Sequence, residues 1–147
     1  MGEKGIEIPL EVIDLEGDGY HLLLNVIVAE KPFKLVLDTG ASKTVFDQQM
    51  VENLIGAEHI LASERTSTGL GATGIPSFTA VIDRIGFDGL VLENQEVAIL
   101  NLSTINEAYQ ELINEPILGV LGSDILMAKQ AVIDFAKQSV LLHTDPD

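Results

Sequence analysis

The stretch LVLDTGASKTVF occupies residues 35–46. Three aliphatic residues, Leu35, Val36 and Leu37, run directly into Asp38, Thr39 and Gly40. A strand apolar enough to carry such a run gains nothing in its core from a carboxylate at its end. An acid placed there serves as a general acid or general base, provided the backbone holds it still. Gly40 permits a tight turn after the strand, and the Thr39 hydroxyl can lock that turn by hydrogen bonding. Ala41 and Ser42 follow, and then a second strand-like run, Lys43 to Phe46. An ordinary loop also uses Asp-x-Gly, so the triplet needs support from elsewhere in the chain.

Two further stretches bear on it. Val120-Leu121-Gly122-Ser123-Asp124-Ile125-Leu126 places an apolar pair and a glycine ahead of a short helix. Residues 69–74, GLGATG, spell a literal G-x-G-x-x-G. A dinucleotide site would need a helix to open there and face a pyrophosphate. Instead Pro76 and the run Ser-Phe-Thr-Ala-Val-Ile follow, which read as a strand. The glycines therefore mark a hairpin tip or a flap over a ligand.

The remaining candidates are weaker. His21, His59 and His143 stand apart without metal-ligand spacing, and each is read as a surface or satisfied histidine. No serine sits in G-x-S-x-G. Asp124 falls at a helix start, where an acid suits the dipole. Asp83 and Asp134 each follow Val-Ile but lack a Thr-Gly sequel, so turn or edge positions are expected. Nothing in these patterns calls for a cofactor or a metal.

The elements that position Asp38 read mostly as short strands. IEIPLEVIDLE and YHLLLNVIVA flank Gly-Asp-Gly as a hairpin. A turn at residues 30–33 leads into KLVL, and KTVF follows the triplet. Asp47 is expected to cap a helix, QQMVENLI, that Gly56 ends. Residues 59–68 and 75–85 read as strands beside the glycine tip, with turns at FDG and ENQ beyond them. Thr104 to Glu107 fits a capping box, opening a helix through about Asn114. A short helix over SDILMAKQ and a hairpin in AVIDFAKQSVLL complete the chain. The reading is one mostly β unit with two or three short helices.

Composition narrows the function. The 147 residues include no cysteine, which removes disulfides, thiol nucleophiles and cysteine-bound zinc. With 46% hydrophobic residues the chain can bury a core. The net charge of −15, from 23 acidic against 8 basic residues, repels phosphate backbones, so no nucleic-acid partner is expected. No apolar run is long enough for a membrane span. The first residues, MGEKGIEIPLEVIDLEG, lack the basic flank and apolar run of a signal peptide. The expected location is the cytoplasm for the chain as it stands, and the periplasm or exterior if a leader was removed. Ile6 stands where a myristoylation signal needs Ser or Thr.

Together the apolar-Asp38-Thr39-Gly40-Ala41-Ser42 loop, the glycine tip at 69–74 and Val120 to Leu126 resemble the retropepsin-like aspartic proteases, the single-lobe, retroviral type. The terminal VIDFAKQSVLL looks like the last hairpin of bacterial members. The resemblance runs over roughly residues 20–143 and rests on three separated motifs in the family's order. It implies a closed β barrel or sandwich of the acid-protease kind. Residues 1–147 would form one domain, with a flap at about 66–78.

The resemblance also implies a mechanism. Two carboxyl groups a few ångströms apart share one proton, because both cannot ionise cheaply. The ionised member activates a water, and the protonated member polarises the scissile carbonyl. One Asp-Thr-Gly is present, whereas two-lobed relatives carry two, so the second Asp38 would come from an identical chain across a C2 axis. Thr39 would hydrogen-bond across that axis and Gly40 would allow close approach. Ala41, Ser42, Leu70, Gly71, Ala72 and Thr73 would contact a polypeptide substrate. Val120, Leu121 and Gly122 would support the active loop. A catalytically weak peptide-binding or dimerisation module on the same fold, and a plain structural β domain, remain as alternatives at this stage.

Overall fold

The computed structural model describes residues 5–66 and 76–144. Strands β1 (Gly5–Pro9), β2 (Glu11–Asp14), β3 (Tyr20–Val28), β4 (Lys31–Leu37) and β5 (Val45–Asp47) come first. Helix α1 (Gln48–Ile55) and a 3-10 turn follow, then β6 (Leu61–Thr66), β7 (Pro76–Phe87) and β8 (Leu90–Leu100). The chain ends with α2 (Ser103–Ile113), β9 (Gly119–Leu121), α3 (Ser123–Ala128), β10 (Val132–Asp134) and β11 (Ser139–His143).

The main sheet has the order β2-β3-β4-β9-β5-β8-β7-β6, and β3 also pairs with β7 through Ile27↔Gly86 and Val28↔Ile85. That second pairing closes β3-β4-β9-β5-β8-β7 into a six-stranded barrel. The expected mostly β, closed, acid-protease-like architecture with short helices is the one observed. A separate three-stranded sheet, β1-β11-β10, uses both ends of the described chain.

Alternation along the strands divides the core. Leu22, Leu24, Val26 and Val28 of β3, with Leu35 and Leu37 of β4, face the barrel interior around Phe46, Phe87 and Leu121. Leu23 and Val36 point the other way and meet Tyr109 and Ile117 under α2. The helix is thus pinned to the outer face of the strand that leads into Asp38.

Local signals account for several elements. The Asp47 carboxylate accepts from Met50 N–H at 3.1 Å and caps α1, while Gly56 ends it at φ 94°. Asp88 and Gly89, at φ 21° and 104°, form a two-residue turn between paired Phe87 and Leu90.

Three expectations are corrected. The run 6–16 is not one strand of a hairpin: β1 pairs with β11 and only β2 pairs with β3. The break falls at Pro9, which has no N–H to donate, and the next N–H, from Leu10, goes to Gln138 at 2.8 Å. The ENQ segment is not a turn, because Glu93 and Gln95 stay paired with Arg84 and Ile82. Asn94 absorbs the irregularity in place, at φ 52°. The capping box at Thr104 does not form. The N–H of Leu102 goes to Asp47 at 2.8 Å and that of Ser103 to Asn101 at 2.9 Å, and the cap position is Leu102, two residues earlier than expected. The flap expected over 66–78 falls largely outside the described residues. So do Leu70, Gly71, Ala72 and Thr73.

Candidate active site

Asp38 is the first residue beyond β4. Its N–H donates to the Leu121 carbonyl at 3.0 Å, which continues the parallel β4–β9 ladder by one bond. Its Oδ1 accepts from Gly40 N–H at 2.9 Å, and its carbonyl accepts from Ala41 N–H at 3.2 Å. The chain therefore turns sharply while the carboxylate stays exposed and fixed on one side. Thr39 and Gly40 are exposed beside it, as is Ser42.

The loop's return is held from below. β9 lies between β4 and β5, parallel to the first and antiparallel to the second. A Cβ on Gly119 would lie 1.8 Å from the Val45 carbonyl oxygen, and one on Gly122 would lie 2.6 Å from the Lys43 carbonyl. Both glycines let two backbones approach more closely than any side chain allows. Gly122 lies directly under the loop, where Ser123 N–H donates to Ala41 O at 2.8 Å.

Thr44, fully buried, ties these strands together. Its hydroxyl donates to Asp124 Oδ1 at 2.8 Å and accepts from Gly122 N–H at 3.0 Å. Asp124 also takes the Thr44 N–H at 3.0 Å and the Ile125 N–H at 2.8 Å. Asp124 is structural, as its place at a helix start suggested, but its principal partner is Thr44 rather than the helix dipole. Sequence reasoning passed over Thr44. The available signal was a hydroxyl residue opening an apolar strand, with an acid following the distant glycine.

A groove of about 530 Å³ opens beside Asp38. Its walls include Val36, Thr39 and Val120 from the frame just described, and Tyr20, His21, Ile105, Tyr109, Ile133 and Phe135. Among the described residues Asp38 is the only carboxylate in its walls. His21 of β3 and Tyr109 of α2 are hydrogen-bonded between Nδ1 and the phenol, with ring centroids 5.8 Å apart. Burial, and then the negative charge of Asp38, push the Tyr109 phenol above its ordinary value of 10.0. His21 is thus satisfied, as expected, but at the groove rather than at a bland surface position. His59 and His143 stand elsewhere. Asp134 sits at a turn, with Lys137 N–H on its carboxylate at 2.9 Å. Asp83 lies exposed within β7, between that strand's pairings to β6 and β3.

A larger cavity, about 640 Å³, lies between α1 and α2, with walls that include Gln48, Gln49, Glu52 and Glu107. Among the described residues no cluster of three or more acids and histidines could hold a metal ion, and no helix is long and apolar enough to cross a membrane.

The comparisons agree with this geometry. The crystal structure of a retropepsin-like aspartic protease from Rickettsia conorii is similar over 97% of this chain and 96% of that one, at 20% identity and a TM-score of 0.59. The retroviral protease-like domain of Ddi1 from Leishmania major is similar over 92% and 89%, at 11% identity and a TM-score of 0.56. Both are likenesses of fold. No curated protein matches the sequence. The family described as "Aspartyl protease" matches residues 24–125, which span β4, the Asp38 loop, β9 and the start of α3. The chain belongs to the aspartyl protease family and has the retropepsin-like fold.

Proposed function

We propose that the protein is an aspartic endopeptidase acting as a C2 homodimer, in which a water held between two Asp38 carboxyl groups hydrolyses a peptide bond. The observation that carries this is Asp38 itself. It is exposed, fixed by Leu121 and Gly40, and accompanied by no other carboxylate among the described walls of its groove. One carboxyl group cannot serve as both acid and base in a single step, so a second copy supplies the other. The open face formed by Asp38, Thr39 and Gly40 suits that approach.

In the dimer the two acids share a proton. The ionised Asp38 takes a proton from the water as its oxygen attacks the carbonyl carbon. The protonated Asp38 donates to the carbonyl oxygen. Collapse of the tetrahedral intermediate breaks the C–N bond, and the leaving nitrogen takes a proton back from the dyad. Thr39 joins the two loops across the axis, and Gly40 keeps them close. Ala41, Ser42 and the tip residues Leu70, Gly71, Ala72 and Thr73 bind substrate. Val120, Leu121 and Gly122 support the loop. The whole of 1–147 acts as one domain, and the apolar groove takes a substrate side chain next to the scissile bond.

Asp38→Asn tests the proposal, because it keeps shape and removes the ionisable group. Cleavage of a peptide library is expected to fall by at least about a thousandfold with fold and dimer intact. Unchanged cleavage excludes the dyad. A wild-type chain that binds peptides yet cuts none across the pH range is instead a peptide-binding module.

A further inference from the structure

The groove beside the active loop contains a hydrogen-bonding pair that the hydrolytic chemistry does not use. Tyr109 is 4% exposed, and a phenol so placed is an effective donor to a neighbouring imidazole nitrogen. Its hydrogen-bond partner is His21 Nδ1. With the phenol donating and Nδ1 accepting, the tautomer we assign, the imidazole proton resides on Nε2. Protonation of the ring leaves a proton on Nε2 as well. Nε2 has no partner among the described residues, and no buried side-chain nitrogen or oxygen there lacks one, so Nε2 is open to solvent. His21 lines the groove, together with the apolar Ile105, Ile133 and Phe135.

We propose that His21, oriented by Tyr109, is a specificity-determining residue: its Nε2–H is a hydrogen-bond donor for a substrate side chain with an apolar body and a neutral acceptor at its tip. This rests on the peptidase reading of the groove. The aliphatic and aromatic walls favour the body of such a side chain, and Nε2–H rewards the tip. A carboxylate tip is disfavoured by Asp38 and by the net charge of −15. Tyrosine and glutamine fit this description, whereas phenylalanine and leucine supply the body alone. Tyr109 acts through His21, fixing the ring and its tautomer, and is a positioning residue.

The test uses paired peptides that differ only by Tyr or Phe beside the scissile bond. Wild-type kcat/KM is expected to favour the Tyr peptide about tenfold, the size of one open hydrogen bond. In His21→Phe that ratio is expected to fall to about one, and in Tyr109→Phe to decline in part. His21→Gln, which restores a side-chain N–H donor, is expected to recover part of it. A ratio within one protein is insensitive to a uniform loss of folded enzyme, so a merely structural role leaves it unchanged. The same ratio is measured as Kd for both peptides on full-length Asp38→Asn. A wild-type ratio of one, or a tenfold ratio surviving in His21→Phe, overturns the proposal while leaving the peptidase intact. Failure of both peptides to be cut by the wild type and to be bound by Asp38→Asn overturns both.

Discussion

The two sides of Asp38 are built by opposite rules. Below it, β4, β9 and β5 meet with no room to spare: Gly119 and Gly122 admit no side chain, and Thr44 and Asp124 consume one another's hydrogen-bonding capacity. Beside it, the groove wall is loose. Tyr20 is 66% exposed, Phe135 is 70% exposed, and only the His21–Tyr109 pair is polar and anchored. The first side keeps the carboxylate in one place, and such a region tolerates little change. The second shapes what comes near the carboxylate, and its exposed residues, Tyr20 and Phe135, can vary without loss of the fold.

The sharpest break of this contrast is Gly119→Ala. A Cβ 1.8 Å from a backbone oxygen, with other backbone atoms at 2.8 and 2.9 Å, cannot be relieved by a rotamer. A loss of about 4 kcal/mol or more is expected, visible as a collapse of the denaturation midpoint. Phe135→Ala on the open wall is expected to cost under about 0.5 kcal/mol in the same measurement. Equal losses at the two positions would erase the distinction.

A smaller effect comes from Thr44→Val. The substitution keeps volume but leaves the buried Gly122 N–H without an acceptor and removes the hydroxyl donor to Asp124, which keeps the N–H groups of residue 44 and Ile125. About 3 kcal/mol is expected in urea unfolding. Thr39→Val, at an exposed position, is expected to stay within about 0.5 kcal/mol. A Thr44→Val chain as stable as wild type would show that shape alone holds the frame.

The smallest effect concerns the wall. The folded-state pKa of Tyr109 is raised, by burial first and by Asp38 second. Above the ordinary value of 10.0 the unfolded chain gives up this proton before the folded one does. The folded state then binds more protons, and stability falls as pH rises. Below that value the contribution is fully present. Absorbance at 295 nm should therefore show one tyrosine titrating above the other, and Tyr109→Phe should remove the late step. The mutant should also lose less stability than wild type on going from pH 9 into the alkaline range.

What could be read from the residues was what depends on neighbours in sequence. The Asp38-Thr39-Gly40 turn, the Asp47 cap, the Gly56 stop and the Asp88-Gly89 hairpin all arise from a few adjacent residues whose backbone preferences are strong. The distant glycine motif was legible only through resemblance, since nothing near Val120 says that it will lie against β4. Pairings across the chain escaped. Nothing local sends β1 to β11 rather than to β3, and Asn94 looked like a turn because its tolerance of positive φ serves turns and strand irregularities alike. Thr44 with Asp124, and His21 with Tyr109, are separated by 80 and 88 residues, so each seemed an unremarkable polar residue on its own.

That separation also sets an order of events during synthesis. The nascent Asp-Thr-Gly turn emerges early, yet Leu121, Gly122 and Asp124 must all leave the ribosome before it acquires its supports. β1 waits longer still, for a partner strand that ends at His143. A fold assembled from such remote pairings gains little from its first half alone. The carboxylate therefore keeps only its local bond from Gly40 until β9 and α3 have emerged, and maturation of the site is a late act of folding.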